Sequence, residues 1–293
     1  IRLDYQAYQE LPQVYIQKAC PLCRCKSLKP VVSELNHFQY DGRDLLAQFD
    51  STWVQLLQCN GCQFAFTKEL PVDQEFFPQR YDIHFDPEFE AQHGFKDHLL
   101  GDLFDQLGKH RPHDGDLLDV GAFGGILMRF AKDRGYQVHG LEVNPTMARY
   151  AKNSLALDVV EGTFLSTDLK KNNYDVVTLV DVLEHLCSPV EVINKLFDIT
   201  KAGGHVLIKV PNYRPQLIKQ KVANFLGISK LGIFQNFGHI NHFSPHSLGT
   251  ALKAAGFEVI TDLAIDSELH QSGGVLTVLK NSIRKCISLL FRG

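Results

Sequence analysis

Residues 117–143 read LLDVGAFGGILMRFAKDRGYQVHGLEV. An apolar run, LLDV, has the length and composition of a buried strand. ILMRFAKDRG follows with apolar positions at helical spacing, and QVHGLEV is a second strand. Between the first strand and the helix lies the turn Asp119-Val120-Gly121-Ala122-Phe123-Gly124-Gly125. Glycines at such a turn let the backbone adopt positive φ and come close to a ligand. Glu142 closes the second strand, where a carboxylate can accept both hydroxyls of a ribose. A glycine-rich turn alone is weak evidence, but the strand, turn, helix and acid in register point to a nucleoside-binding α/β core.

The same alternation continues outward. A helix is expected from Pro145, a third strand at LDVVEG, a fourth at YDVVTLVDVL and its helix at PVEVINKLFDIT. GGHVLIKVPN is a fifth strand, SPHSLGTALKAAG a helix and FEVITDLAI a sixth strand. Strands alternating with helices at this spacing indicate a mostly parallel sheet with helices on both faces. The stretch 213–237 is apolar and basic, and is expected to form a helical insert over the carboxyl edge of the sheet.

Dinucleotide-binding proteins share this architecture, but their fingerprint is G-x-G-x-x-G. From Gly121 the chain reads G-A-F-G-G-I, which lacks the second and third glycines, so a nicotinamide oxidoreductase is disfavoured. The turn resembles instead the first motif of class I AdoMet-dependent methyltransferases, D/E-x-G-x-G-x-G, matched at Asp119, Gly121 and Gly125, with Phe123 at the middle glycine position. DVLEHL, from Asp181 to Leu186, is similar to the family's segment beneath the reacting methyl, and KAGGHVLIKVPN to its fifth-strand motif. VVEGTF places Thr163 where the family usually has an acid near the adenine, with Phe164 next to it. The resemblance covers residues 115–265. It implies a Rossmann-like, mostly parallel seven-stranded sheet that binds S-adenosylmethionine. The implied contacts are Asp119, Gly121, Ala122, Phe123, Gly125, Glu142, Val143, Thr163, Phe164, Asp181, Val182 and Leu183.

The chain has seven cysteines, and five of them precede residue 63. Cys20-Pro-Leu-Cys23 and Cys59-Asn-Gly-Cys62 are two knuckles whose spacing lets four thiolates converge on one tetrahedral ion. Disulfides or a redox pair are the competing readings, but nothing marks the chain as secreted and two pairs suit a closed site better. Cys20, Cys23, Cys59 and Cys62 are therefore expected to hold a structural Zn2+. Cys25 is expected beside the site, and Cys187 and Cys286 as ordinary small hydrophobes. The pattern resembles zinc-ribbon methyltransferases acting on sugars or other glycan precursors. The expected domains are a zinc-ribbon β domain at 1–70, a connector and helix at 71–113, and the cofactor-binding domain at 114–293.

Methyl transfer to a hydroxyl or carbon acid needs a group that takes a proton, and histidine suits neutral pH. His185 lies just past the fourth strand. His239 and His242 lie in GHINHFSPHSL, similar to the EHxxYF stretch of sugar C-methyltransferases, in which the histidine is the base; Gly238 replaces the acid. The order of preference is His239, His185, His242. The acceptor implied is a small molecule such as a nucleotide-linked sugar or glycan intermediate. With 30 basic and 33 acidic residues, a formal charge of −3, no nucleic-acid partner is expected. No apolar run approaches the length of a membrane span, so a cytoplasmic protein is expected. Leu276, Leu279, Ile283, Ile287 and Leu290 fall at helical spacing among basic residues. That pattern suggests a C-terminal amphipathic helix, docked on the core or lying on a membrane surface. The rival outside enzymology is a non-catalytic module that binds the cofactor and zinc to recruit a partner.

Overall fold

The computed structural model describes residues 14–35, 39–40, 43–44, 53–71, 95–225, 239–266 and 285–292. In chain order the strands are β1 (Val14–Ile16), β2 (Leu28–Leu35), β3 (Gln39–Tyr40), β4 (Arg43–Asp44), β5 (Trp53–Cys59), β6 (Ala65–Thr67), β7 (Glu69–Pro71), β8 (Asp116–Val120), β9 (Gln137–Glu142), β10 (Asp158–Glu161), β11 (Tyr174–Val180), β12 (Thr200–Pro211), β13 (Asn241–His242), β14 (Glu258–Asp266) and β15 (Lys285–Arg292). The helices are α1 (Phe95–Gly108), α2 (Ile126–Lys132), α3 (Pro145–Leu155), α4 (Pro189–Ile199), α5 (Tyr213–Phe225) and α6 (Pro245–Ala254). A short 3-10 turn spans Leu183–His185.

The main sheet has the order β10-β9-β8-β11-β12-β15-β14. Its first five strands run parallel, and β15 is antiparallel to both β12 and β14. The order reverses between β8 and β11, and the crevice outside such a reversal is where open α/β sheets bind ligands. Helices cover both faces. On one face α1 buries Leu100, Leu103, Phe104 and Leu107 against Leu117, Val176 and Leu207 of the sheet and Leu127 of α2. These positions form one stripe at helical spacing, and each fully buried side chain contributes roughly 1.5–3 kcal/mol. On the other, α4 inserts Val192, Ile193, Leu196 and Ile199, and α6 adds Leu248 and Leu252.

The expected C-terminal helix is corrected by the structure. Ile287 and Leu290 lie on β15, a strand paired on both sides, while Leu276, Leu279 and Ile283 fall outside the described residues. A strand inside a sheet reads as a continuous apolar run, and over so few residues helical spacing cannot be told from it. The insert is helical over α5; its remainder, 226–237, and most of the connector lie outside the described residues. Among the described residues no helix is long and apolar enough to cross a membrane.

The cysteine-bearing segment forms a second sheet, β13-β6-β5-β2, and one of its strands comes from the far side of the chain. Asn241 and His242 pair with Phe66 and Ala65, and the Thr67 amide donates to the Ile240 carbonyl at 2.9 Å. Its core is not separate either. Cys20, Leu57, Phe64 and Phe66 belong to the same buried cluster as Val177, Leu196 and Phe243, and the Phe64 and Phe243 rings lie 4.8 Å apart.

Candidate active site

The carboxyl ends of β8, β9 and β11 bring the glycine-rich turn, Glu142 and the 183–185 turn to one edge. Gly121 (φ 75°), Phe123 (φ 48°) and Gly125 (φ 85°) all take left-handed backbone. At Gly121 a Cβ would meet Val182 Cγ2 at 2.5 Å, so a glycine is required for the turn to close against the β11 loop. The amides of Gly121 and Ala122 donate to the Leu141 carbonyl at 2.8 and 3.1 Å, which ties the turn to β9.

Glu142 is buried and braces this turn from below. Its Oε2 accepts from the Phe123 amide and its Oε1 from the Asn144 amide, both at 2.7 Å. Two bonds leave the carboxylate with lone pairs for a ribose diol. Asn144 then caps α3, its Oδ1 accepting from the amides of Thr146 and Met147, and Val143 is half-buried between the two. Asp119 is buried deeper. Thr178 of β11 donates to its Oδ1 at 2.7 Å. Burial, opposed by the Thr178 bond and reinforced by the Glu142 charge, pushes its carboxyl up to about 7. Burial also raises Glu142, against the lowering effect of its backbone donors. The turn, the diol-accepting carboxylate and the close backbone fit a nucleoside cofactor.

The other expected contacts also have partners within the chain. Phe164 is buried in the core, with Lys195 Nζ 5.3 Å over its ring. Thr163 shares its hydroxyl with Ser166 at 2.6 Å in a local turn. Asp181 sits in left-handed backbone (φ 57°) and pairs with Lys209 Nζ at 2.5–2.6 Å. Leu183 is fully buried, which leaves only its backbone to a ligand; its carbonyl accepts from Asn241 Nδ2 at 3.1 Å.

The structure brings His185 and His239 together, with ring centroids 4.8 Å apart at 68°. His242 is buried on β13, where it pairs with Ala65. Burial, aided by the nearby His185, His242 and Lys209 charges, holds His239 down to about 2; burial likewise holds His242 at about 3. Both imidazoles are therefore neutral across the physiological range. Sequence reasoning passed over two groups here. Glu184 is 1% exposed and neither oxygen has a hydrogen-bond partner among the described residues. Lys209 was the other; a lone cation inside the apolar run HVLIKVPN was the signal for it.

The four knuckle sulfurs converge within 4.8 Å of one another. Cys20–Cys62 and Cys23–Cys59 are each 3.6 Å apart. That is far beyond a disulfide bond of about 2.05 Å, and close to the ~3.8 Å edge of a tetrahedron with ~2.3 Å metal–sulfur bonds. The amides of Gly61 and Cys62 point at Cys59 Sγ at 3.3 and 3.5 Å. Cys25 lies outside this set.

Fold and site together define a nucleoside-cofactor enzyme of the Rossmann-like class. Residues 92–262 match the model of the methyltransferase domain, and the chain belongs to that family: it is an S-adenosylmethionine-dependent methyltransferase. It is similar to the ubiquinone biosynthesis O-methyltransferase of Nitrosospira multiformis, 26% identical over 64% of this chain and 81% of that one. The protein of the same name from Nitrosomonas europaea is 28% identical over 64% and 82%. Among solved structures it resembles a SAM-dependent methyltransferase from Archaeoglobus fulgidus, with a TM-score of 0.50 and 16% identity over 71% of this chain and all of that one. That likeness shows the fold alone.

Proposed function

We propose that the chain transfers a methyl group from S-adenosylmethionine to a hydroxyl of a small molecule. The observation that carries this reading is the His185–His239 pair beside the Gly121–Gly125 turn: two imidazoles at the carboxyl edge, where an acceptor hydroxyl docks and must lose its proton. The resemblance to proteins named ubiquinone biosynthesis O-methyltransferases supports oxygen as the acceptor atom. When bound, S-adenosylmethionine supplies an electrophilic methyl. The chain's own part is to orient and to exclude water. Glu142 accepts the ribose hydroxyls, the 121–125 turn closes over the methionine end, and Asp181 with Lys209 shapes the floor. The acceptor oxygen forms its bond to the methyl carbon as the carbon–sulfur bond breaks, with the electron pair left on sulfur.

A second reading of the acceptor, a nucleotide-linked sugar, is favoured by one observation: the cysteine-bearing sheet contributes directly to the segment that carries His239. Under either reading we propose that Cys20, Cys23, Cys59 and Cys62 hold zinc as a closed structural site, and that the protein works in the cytoplasm.

The test is transfer of labelled methyl to a panel of hydroxyaromatic compounds and nucleotide-linked sugars, with Glu142→Ala in parallel. Label should reach a hydroxyl of one class, and the variant should bind the donor roughly 100-fold more weakly by calorimetry, since it loses the diol acceptors and strands two amides. Transfer to carbon or nitrogen in every active acceptor would refute the oxygen assignment. Unchanged donor affinity would remove Glu142 from the site.

A further inference from the structure

Glu184 presents a carboxylate with 1% exposure and no hydrogen-bond partner on either oxygen among the described residues. An ion in such surroundings is costly by several kcal/mol unless an opposite charge meets it. The nearby cation, Lys209, is already committed to Asp181. What Glu184 does face is the imidazole pair: one carboxylate oxygen and one ring nitrogen each of His185 and His239 all lie within 4.8 Å of one another. Three metal-ligating groups converging on one point beside a buried carboxylate that no donor satisfies are the arrangement found around a metal ion. Bonds of about 2.0–2.2 Å join donors up to ~4.2 Å apart, so closure needs only a small side-chain movement.

The backbone keeps the donors in place. Glu184 and His185 share the turn Leu183–His185, whose carbonyl at Glu184 accepts from the Ile240 amide at 2.9 Å. Asn241 Nδ2 donates to the carbonyls of Leu183 and Leu186 at 3.1 and 2.7 Å. The two ligand-bearing segments are thus laced together, and the site exists before any ion arrives. Glu184 is buried while both histidines are half-buried, so the ion's open positions lie on the histidine side, away from the carboxylate.

We propose that Glu184, His185 and His239 bind a divalent cation of the Mn2+/Fe2+/Co2+/Zn2+ group, the metals suited to two imidazoles and one carboxylate. The site is distinct from the four cysteines. It deepens the proposed hydroxyl methylation: an acceptor oxygen taking an open position loses its proton to water more readily, because the cation stabilises the alkoxide or phenoxide. The two imidazoles then serve as ligands rather than as the proton's destination.

The test is Mn2+ titration of the full chain holding one equivalent of zinc, without methyl donor or acceptor, followed by electron paramagnetic resonance. One Mn2+ per chain is expected, with spin-echo modulation from imidazole nitrogen. Glu184→Gln and His239→Asn should each weaken binding by at least about tenfold while donor affinity holds. The wild-type spectrum serves if a variant fails to fold. No stoichiometric binding, binding without nitrogen coupling, or equal binding by folded variants would overturn the site. Mn2+ bound with nitrogen coupling, but no methyl reaching any hydroxyl, would sink the hydroxyl reading alone. Full methyl transfer after chelation empties this site would sink the cation alone.

Discussion

Asp119 carries a carboxyl held at about 7 by burial, against about 3.9 in an unfolded chain. Between those values the folded protein binds the extra proton, so its stability falls as pH rises through that window and the charged form is a cost above it. Asp119→Asn keeps an oxygen to accept from Thr178 and removes the charge. In urea unfolding without methyl donor, the variant should gain on the wild type by roughly 1–3 kcal/mol from pH 5 to pH 8. Parallel pH profiles would show that Asp119 is not ionised at a cost. At this scale the sequence was informative where a residue's role is local. Asp119 and Glu142 follow from their places at strand ends, and the four cysteines from their spacing. Glu184, Lys209 and Phe164 were not legible, because their roles are set by what packs across from them: the imidazole pair for the carboxylate, Asp181 for the lysine, the core for the ring.

The element that binds the molecule's parts together is the two-residue strand β13. It joins β6 by its backbone, and Ile240 beside it bridges the Thr67 amide and the Glu184 carbonyl. Replacing Cys59 and Cys62 by serine, or stripping metal with a chelator, should therefore be felt at the active site as well as at the knuckles. Hydrogen exchange at the Thr67 and Ile240 amides should quicken at least about tenfold, while amides of β8 and β9 keep their protection. Unaltered exchange at Ile240 would mean that the cysteine-bearing sheet does not hold the histidine segment. No pattern within GHINHF announces this pairing. Two residues are too few for a period, and the partner lies far away in sequence.

Across the whole molecule, the five parallel strands were readable because they are short apolar runs, and helices follow β8, β9 and β11 in the expected alternation. β15 was not, since its order in the sheet, between β12 and β14, is a property of topology rather than of its own residues. Its place predicts its importance. Deleting residues 285–293 leaves β12 and β14 without their shared partner, and should abolish cooperative thermal unfolding and drive the protein into aggregates on size-exclusion chromatography. A monomeric, cooperatively melting truncation would show β15 to be dispensable.

The same placement has a consequence for how the chain assembles. β14 precedes β15 in sequence yet reaches the sheet only through it. While the protein is being synthesised, β12 therefore waits with an open edge until a later segment emerges, and β14 has nowhere to dock. That interval is the one in which a nascent chain is most exposed to wrong partners, so holdase chaperones should engage ribosome-bound chains from which residues up to 266 have emerged, and let go once residues 285–292 are also outside the ribosome.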